Sequence, residues 1–369
     1  MADEKKPPAK TKPKAKPKPK PPTAQDFETP QIDLFQQFLS NNNDREHLSN
    51  TLDLWDSVPR YSVSRQAMAK LRTEKGFLEL LKLDFTYKGA SLKAVIQPAR
   101  IEGPDGASLD YYPSANEELV EDALRKIAAE RSHGYYGQDE PRSGVVFTLY
   151  ELREELRRRG HSRSYQEIRL SLNILARSTI EIRTADGGSS GAFGLSAYLS
   201  SLAGVSREDW LDDPQAKWVA QFHPLVTQSI DALTYRQFNY AQMMSHTTQL
   251  ARWLHKQLSL KFTFASITAV FEMKYSTIKR DSGLLTGYSR ERKAIEAVDA
   301  ALAELQAGGV LMFVKKNDVR GPRAKLEDVV YTLTASIEFV AEAKAANKRH
   351  QLASDVRGAV DKPGLSVDK

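Results

Sequence analysis

The stretch "FTLYELREELRRRGHSRSYQEIRLSLNILARS", residues 147–178, most narrows what this chain can fold into. It holds two Ser/Thr-x-x-Glu boxes, Thr148 with Glu151 and Ser164 with Glu167. In such a box the hydroxyl and the carboxylate satisfy N–H groups left free at a helix start. Gly160 lies between the two, so two short helices around a turn are predicted. The second sets Tyr165, Ile168, Leu172 and Leu175 at helical spacing, and "TIEIRTADGGSSGAFG" behind it alternates and then turns on glycines. Helix, turn, helix, β-hairpin is the order of a winged helix. Leu170 and Ile174 are apolar on a different side of that second helix. A second face therefore seeks burial, and a dimer partner is expected there.

Upstream, "FLELLKLDFTYKG" alternates through Leu81, Leu83, Phe85 and Tyr87 to Gly89, and "LKAVIQPARI" returns, which predicts a β-hairpin. "PSANEELVEDALRKIAAE" then reads as an amphipathic helix with Leu119, Ala123, Leu124 and Ile127 inward and acids concentrated in its first half. Downstream the winged-helix order recurs. "YRQFNYAQMMSHTTQLARWLHKQLSLKF" reads as one long helix and "STIKRDSGLL" as a short second one. "SRERKAIEAVDAALAELQAGG" is a third, with Ile295, Val298, Leu302 and Leu305 inward and Gly308 and Gly309 ending it. "VLMFVKKN" and "DVVYTLTAS" are two strands around the tip "DVRGPRAKLED", and a helix over "IEFVAEAKAANKRH" closes the unit. The two units share no obvious sequence, so architecture repeats rather than residues.

The predicted fold is α+β: two tandem winged-helix domains, residues 55–234 and 235–350, behind a disordered Lys/Pro-rich tail over 1–30 and a linker over 31–54. Residues 351–369 read as a second disordered tail. In the N-terminal tail lysine alternates with proline, so like charges repel and backbone donors are missing.

Charge is concentrated there. Of the 53 basic and 47 acidic residues, eight and two lie in residues 1–22, which leaves 45 of each in the other 347. A DNA-binding face in the folded part must therefore come from local clustering. Cysteine is absent, which excludes disulfides and thiolate chemistry and fits a reducing cytoplasm. No apolar run approaches the roughly 18 residues of a membrane span, so a soluble cytoplasmic protein is expected. No G-x-x-x-x-G-K-[ST] phosphate loop is present. The seven histidines never pair at a metal-ligand spacing; His246 and His255 are nine apart. Glu154 and Glu155 are adjacent, point apart on a helix, and read as a solvated face. No catalytic, cofactor or metal site is expected, and no enzyme.

The DNA-facing candidates are cations. A winged helix offers the start of its third helix to the major groove and its hairpin to the backbone or minor groove. In the second unit Arg290 and Lys293 share a helix face with Arg292 beside them, while Lys315, Lys316, Arg320, Arg323 and Lys325 crowd the hairpin. In the first, Arg158, Arg159 and Arg163 gather with Arg157 at the helical turn, and Arg169 follows. Phosphate contact is expected of them.

The phrases "YYPSANEELVEDALRKIA", "FTLYELREEL" and "YRQFNYAQMMSHTTQLARWLHKQLS", with the order of the two units, resemble the RepA/TrfA type of iteron-binding plasmid replication initiators over roughly residues 55–345. The resemblance implies a C-terminal winged helix making the main contacts to directly repeated double-stranded origin sites. It implies an N-terminal one combining DNA contact with dimerisation, in a monomer–dimer equilibrium. It further implies bacterial origin opening without ATP hydrolysis and recruitment of the host helicase, the host initiator and the polymerase machinery. Gln31, Ile32, Asp33, Leu34 and Phe35 look like the Q-[LI]-[SD]-L-F peptide that docks replication proteins on the bacterial sliding clamp, with Leu34 and Phe35 filling an apolar pocket. The alternative is a winged-helix transcriptional regulator of plasmid genes, which has no use for a clamp peptide.

Overall fold

The computed structural model describes residues 46–103, 106–130, 134–137, 142–184, 194–204 and 214–360. The tail, the clamp-like peptide and the glycine turn over 185–193 lie outside these residues. In chain order the elements begin with β1 (Leu48–Leu52), α1 (Arg65–Leu71), β2 (Leu81–Tyr87), β3 (Ala90–Gln97), β4 (Ala99–Glu102), β5 (Ser108–Tyr111) and α2 (Ala115–Glu130). β6 (Gly134–Gly137), β7 (Arg142–Thr148), α3 (Leu149–Arg158), α4 (Tyr165–Arg177), β8 (Thr179–Thr184), β9 (Gly194–Ala197), β10 (Leu199–Gly204) and β11 (Lys217–Phe222) follow. Next are α5 (Pro224–Asp231), β12 (Tyr235–Asn239), α6 (Tyr240–Ser245), α7 (Gln249–Lys261) and β13 (Val270–Lys274). The chain continues with α8 (Tyr275–Ser282), α9 (Glu291–Ala307), β14 (Leu311–Arg320), β15 (Leu326–Ala335) and α10 (Ile337–Val360).

Both capping boxes form. Thr148 Oγ1 accepts from Glu151 N at 3.1 Å while Glu151 Oε2 accepts from Thr148 N at 2.9 Å. Ser164 and Glu167 repeat the exchange at 3.2 and 2.8 Å. The first unit runs α2, β7, α3, α4, with β7 pairing β11 and β11 pairing β10. Its wing is split, because β8 joins β3 and β9 in another four-stranded sheet and the β9–β10 run changes sheets at the buried Tyr198. The second unit runs α7, β13, α8, α9, β14, β15, and its three strands order as β13-β15-β14. Each unit is a winged helix.

The division between them differs from the predicted one. Leu48–Leu52, read as linker, is a buried strand paired antiparallel with β12, Leu48 opposite Asn239 and Leu52 opposite Tyr235. Tyr235, Phe238, Tyr240, Met243 and Met244 belong to the first unit's core, and the second core starts at Leu250. The seam is thus the bend at His246–Thr248. The long helix read from Tyr235 is instead a strand and two helices. Thr248 caps the second helix by accepting from Ala251 N at 3.2 Å, and its hydroxyl donates to Glu304 at 2.7 Å. The C-terminal helix continues to Val360, so residues 351–360, read as part of a tail, are helical, and the rest of that reading lies outside the described residues. The second apolar face of α4 is partly covered from within: Ile174 is fully buried, Leu170 is half-buried, and α4 packs against β4 as well as β10. Nothing of Ile174 is left for a partner.

Helix α2 is the largest departure. Its apolar residues are buried as expected, but so are Glu117, Glu118, Glu121, Asp122, Arg125 and Lys126. Both faces are covered, one by the first core and the other by residues 55–61 and α7 of the second unit. Lys256 Nζ lies 3.1 Å from Glu118 and 2.6 Å from Asp122. Arg125 forks onto Asp56 at 2.8 and 3.0 Å and reaches Asp122 at 2.6 Å. Arg60 joins Asp56 at 2.8 Å to Glu121 at 3.1 Å. Gln249 donates to Glu118 at 2.8 Å and Gln257 to the carbonyl of Asp56 at 2.9 Å. Charges taken out of water need partners of this quality. Burial pushes the Asp56 and Glu118 carboxyls up, but Arg125 and Arg60 around the first and Lys256 and Arg252 around the second hold both below their ordinary values. Burial likewise opposes the Lys256 ammonium, which Asp122 and Glu118 keep protonated. The two units are therefore docked through ionised groups rather than through a shared apolar core.

Candidate nucleic-acid interface

In the second unit three links set the wing, α8 and α9 side by side. Lys316 Nζ meets Asp299 of α9 at 2.7 Å, and Tyr331 OH donates to the same carboxylate at 2.8 Å. Ser276, at the start of α8, donates to Asp328 at the wing base through N (3.0 Å) and Oγ (2.5 Å). Lys279 of α8 reaches Glu291 at the start of α9 at 2.7 Å. The wing is thus braced on the helix it flanks.

At the start of α9 Arg290 takes the capping position with an extended backbone and no side-chain cap. No side chain satisfies the first N–H groups of the helix; Lys293 N donates to the Arg290 carbonyl at 2.9 Å, and those of Glu291 and Arg292 remain for a phosphate oxygen. Arg292 and Lys293 flank this opening, their side chains 90% and 65% exposed, and share Glu296 at 3.2 and 2.7 Å. Such exposed pairs are weak and yield readily to a stronger anion. Arg290, Arg292 and Lys293 are brought together as the sequence predicted.

The hairpin cations are not equivalent. Successive side chains of a strand point to opposite faces. Register places Lys316 beside the buried Tyr331, toward α9, and Lys315 beside Thr332 on the outer face. Lys315 does not join the helix cluster. Arg320 is tied to Asp318 at 2.7 Å and donates to the carbonyl of Ala324 at 3.2 Å. At the tip Arg323 and Ala324 adopt positive φ, 60° and 58°, which non-glycine residues take only under constraint. Arg323 and Lys325 stand exposed there with no side-chain partner among the described residues.

The first unit spends its arginines differently. Arg159, its side chain 8% exposed, bonds Glu155 at 2.9 Å, donates to the carbonyl of Glu46 at 2.7 Å and lies 5.5 Å from the Tyr240 ring centre. These contacts tie it into the fold, so a phosphate would compete with Glu155 for it. Arg163 donates to Asn116 Oδ1 and to the carbonyl of Ser162, both at 2.8 Å. Arg157 is paired with Glu154 at 2.7 Å, and Arg158 stays half exposed within 3.8 Å of Glu46 and Glu155. Glu155, read as solvated, is buried among these arginines. Arg169 and Asn173 are half-buried on α4, and Gln166 is exposed at its start. Gln166 and Asn173 were not singled out by sequence, because uncharged amides give no cluster to notice; either can read a base edge.

His246 and His255, nine apart in sequence, meet across the α6–α7 bend with Nε2 3.0 Å from Nδ1. Burial holds both imidazoles below their ordinary value. Among the described residues no three His, Asp or Glu side chains are placed to hold a metal ion, and no helix is long and apolar enough to cross a membrane.

No known family profile matches the chain, and no curated protein matches it. Among solved structures it is similar to domains 2 and 3 of RctB in a selenomethionine form (TM-score 0.46, 11% identity, 80% of this chain and 99% of that one). A second RctB structure, spanning its residues 155–483, gives 0.41, 11%, 75% and 97%. The Pi initiator protein in complex with iteron DNA gives 0.35, 10%, 79% and 99%. Likeness of this degree decides neither fold nor function, which rest on element order, register and charge.

Proposed function

We propose that this chain initiates replication of a bacterial plasmid. It acts in the cytoplasm, binds directly repeated sites in a double-stranded origin through its two winged helices, and opens the origin by binding energy and DNA deformation without ATP hydrolysis. It passes between monomer and dimer and recruits host proteins, among them the sliding clamp, the replicative helicase and the host initiator. The observation that carries the reading is the second unit's cationic surface. The uncapped start of α9 with Arg290, Arg292 and Lys293 suits the major groove, and the braced wing with Arg323 and Lys325 suits the flanking backbone. The unlike first unit, docked through buried charge, favours a directional site over a palindrome. The resemblance in "YYPSANEELVEDALRKIA" and in Gln31–Phe35 adds the replication context.

The test selects bound duplexes from a random library with the full chain and then offers the winners together with sliding clamp. Non-palindromic sites of about two helical turns, and a clamp complex lost in Leu34→Ala/Phe35→Ala while DNA binding persists, are the expected results. A strict palindrome with clamp capture undiminished by the double substitution would favour a regulator instead.

A further inference from the structure

Between the units, on the far side of α8 from Lys279, lies a cleft of about 590 Å³, within the range of small-ligand sites. Six stretches wall it: Asp53 and Ser57, the β2–β3 turn with Lys88, residues 233–236 leading into β12, the end of α7 with Lys261, Thr277 and Arg280 of α8, and His350 of α10. Four permanent cations, Lys88, Arg236, Lys261 and Arg280, face two carboxylates, Asp53 and Asp281. Both carboxylates are already engaged. Asp53 is held by Lys88 at 2.6 Å and by the hydroxyl of Tyr87 at 2.9 Å. Asp281 is held by Arg280 at 2.7 Å and by the N–H of Thr86 at 3.1 Å. Among the described residues the Arg236 side chain is hydrogen-bonded to the neutral Asn347, and Lys261 has no ion pair. The cleft therefore holds more positive charge than its own carboxylates balance.

We propose that this cleft binds a phosphate group, carried by a ligand of about mononucleotide size, between Lys261, Arg236 and Arg280. The surroundings support an anion. Burial lowers the half-buried Arg236 guanidinium and His350 imidazole below their ordinary values, so a bound anion would offset that cost. The hydroxyl of Thr277 lines the same space and can donate to a phosphate oxygen, while those of Ser57 and Thr234 donate to the carbonyls of Asp53 and Ser229. A ligand there touches both units and stabilises them in their docked arrangement. The phosphate belongs either to a free phosphorylated molecule or to a DNA backbone passing the cleft.

The full chain, its Lys261→Glu and Lys261→Gln variants and a Lys70→Glu control are titrated with pyrophosphate in low salt by calorimetry, and with a duplex at several salt concentrations. Lys70 is exposed on α1, away from the cleft, and Lys261 is exposed at a helix end, so all should fold. Saturable pyrophosphate binding by wild type, weakened about tenfold or more in both Lys261 variants and unchanged in the control, supports a free phosphorylated ligand. A drop of about one in the slope of log K against log salt for Lys261→Gln, and about two for Lys261→Glu, identifies the DNA backbone as the source. If neither Lys261 variant changes pyrophosphate affinity beyond twofold and neither shifts the salt slope relative to the control, the proposal is overturned.

Discussion

Replacing Lys256 by Met tests whether buried charge fastens the two units. The ammonium sits 3.1 Å from Glu118 and 2.6 Å from Asp122, all three side chains at most 7% exposed. Methionine matches the stem but leaves two carboxylates in the seam. Gln249 still donates to Glu118 and Arg125 to Asp122, so neither is stripped bare. Removing one member of a buried pair typically costs about 3–5 kcal/mol, most of it the stranded partner. With one donor left on each carboxylate, about 3 kcal/mol is expected. Urea unfolding followed by tryptophan fluorescence reads the loss, and the transition should broaden or split as the units separate. Adding Glu118→Gln and Asp122→Asn removes the stranded charge and should restore more than half of it. The loss should also persist in 0.5 M salt, because buried pairs are little screened. A cost below about 1 kcal/mol, or one that vanishes in salt, would mean that the seam is wet and apolar packing holds the units.

Three further outcomes follow from the geometry. His223, at about pH 4, and His246 and His255 are held neutral by burial, while the unfolded chain protonates near 6.5. Stability should thus change little above pH 7 and fall as pH drops below 6.5, by at most about 1.4 kcal/mol per pH unit per histidine; unchanged urea midpoints between pH 7.5 and 5.5 would refute this. Gly283 (φ +66°) and Gly309 (φ +76°) share a left-handed backbone, but a Cβ at Gly283 would approach Ser62 Cβ of the first unit to 2.8 Å, whereas at Gly309 the nearest atom is 3.8 Å away. Both alanine variants should lose about 1–2 kcal/mol, with a further loss only at Gly283, and equal losses would remove the argument for close approach. On DNA, Lys293→Ala should lower discrimination between sequences by about 1–3 kcal/mol, while Arg323→Ala should weaken all duplexes and reduce the salt slope by about one; the reverse pattern would exchange helix and wing.

Local signals were legible and long-range ones were not. Two capping boxes, a glycine turn and the inward faces of α4 and α9 need only neighbours within a helical turn or two, and each forms as read. β1 and β12 are joined across nearly the whole first unit, and neither "LSNTL" nor "YRQFN" carries an alternation strong enough to announce a strand. Helix α2 misled for another reason. Periodicity separates apolar from charged residues, but a charged face looks the same in sequence whether it meets water or Lys256 of another unit. The same ambiguity hid the fate of the arginine turn, where Arg159 bonds Glu155 and stacks near Tyr240, neither visible in "RRRGHSRS".

That ambiguity bears on how the two units divide their work. A cation already paired inside the fold must lose its partner before it can meet a phosphate, whereas an exposed one gives up only water and loosely held counterions. In the first unit Arg157, Arg159 and Arg163 are engaged by Glu154, Glu155 and Asn116, and Arg158 is shared between two glutamates. In the second, Arg290, Arg323 and Lys325 are exposed without side-chain partners among the described residues, and Arg292 and Lys293 share one surface glutamate. Electrostatic binding energy should therefore reside mainly in the second unit. The first can add specificity through Gln166, Arg169 and Asn173 on α4, whose placement relative to α9 depends on the charged seam around Lys256. Loosening that seam should then leave nonspecific affinity nearly intact while it erodes the preference for the full site, since only a fixed spacing lets both helices read one duplex at once.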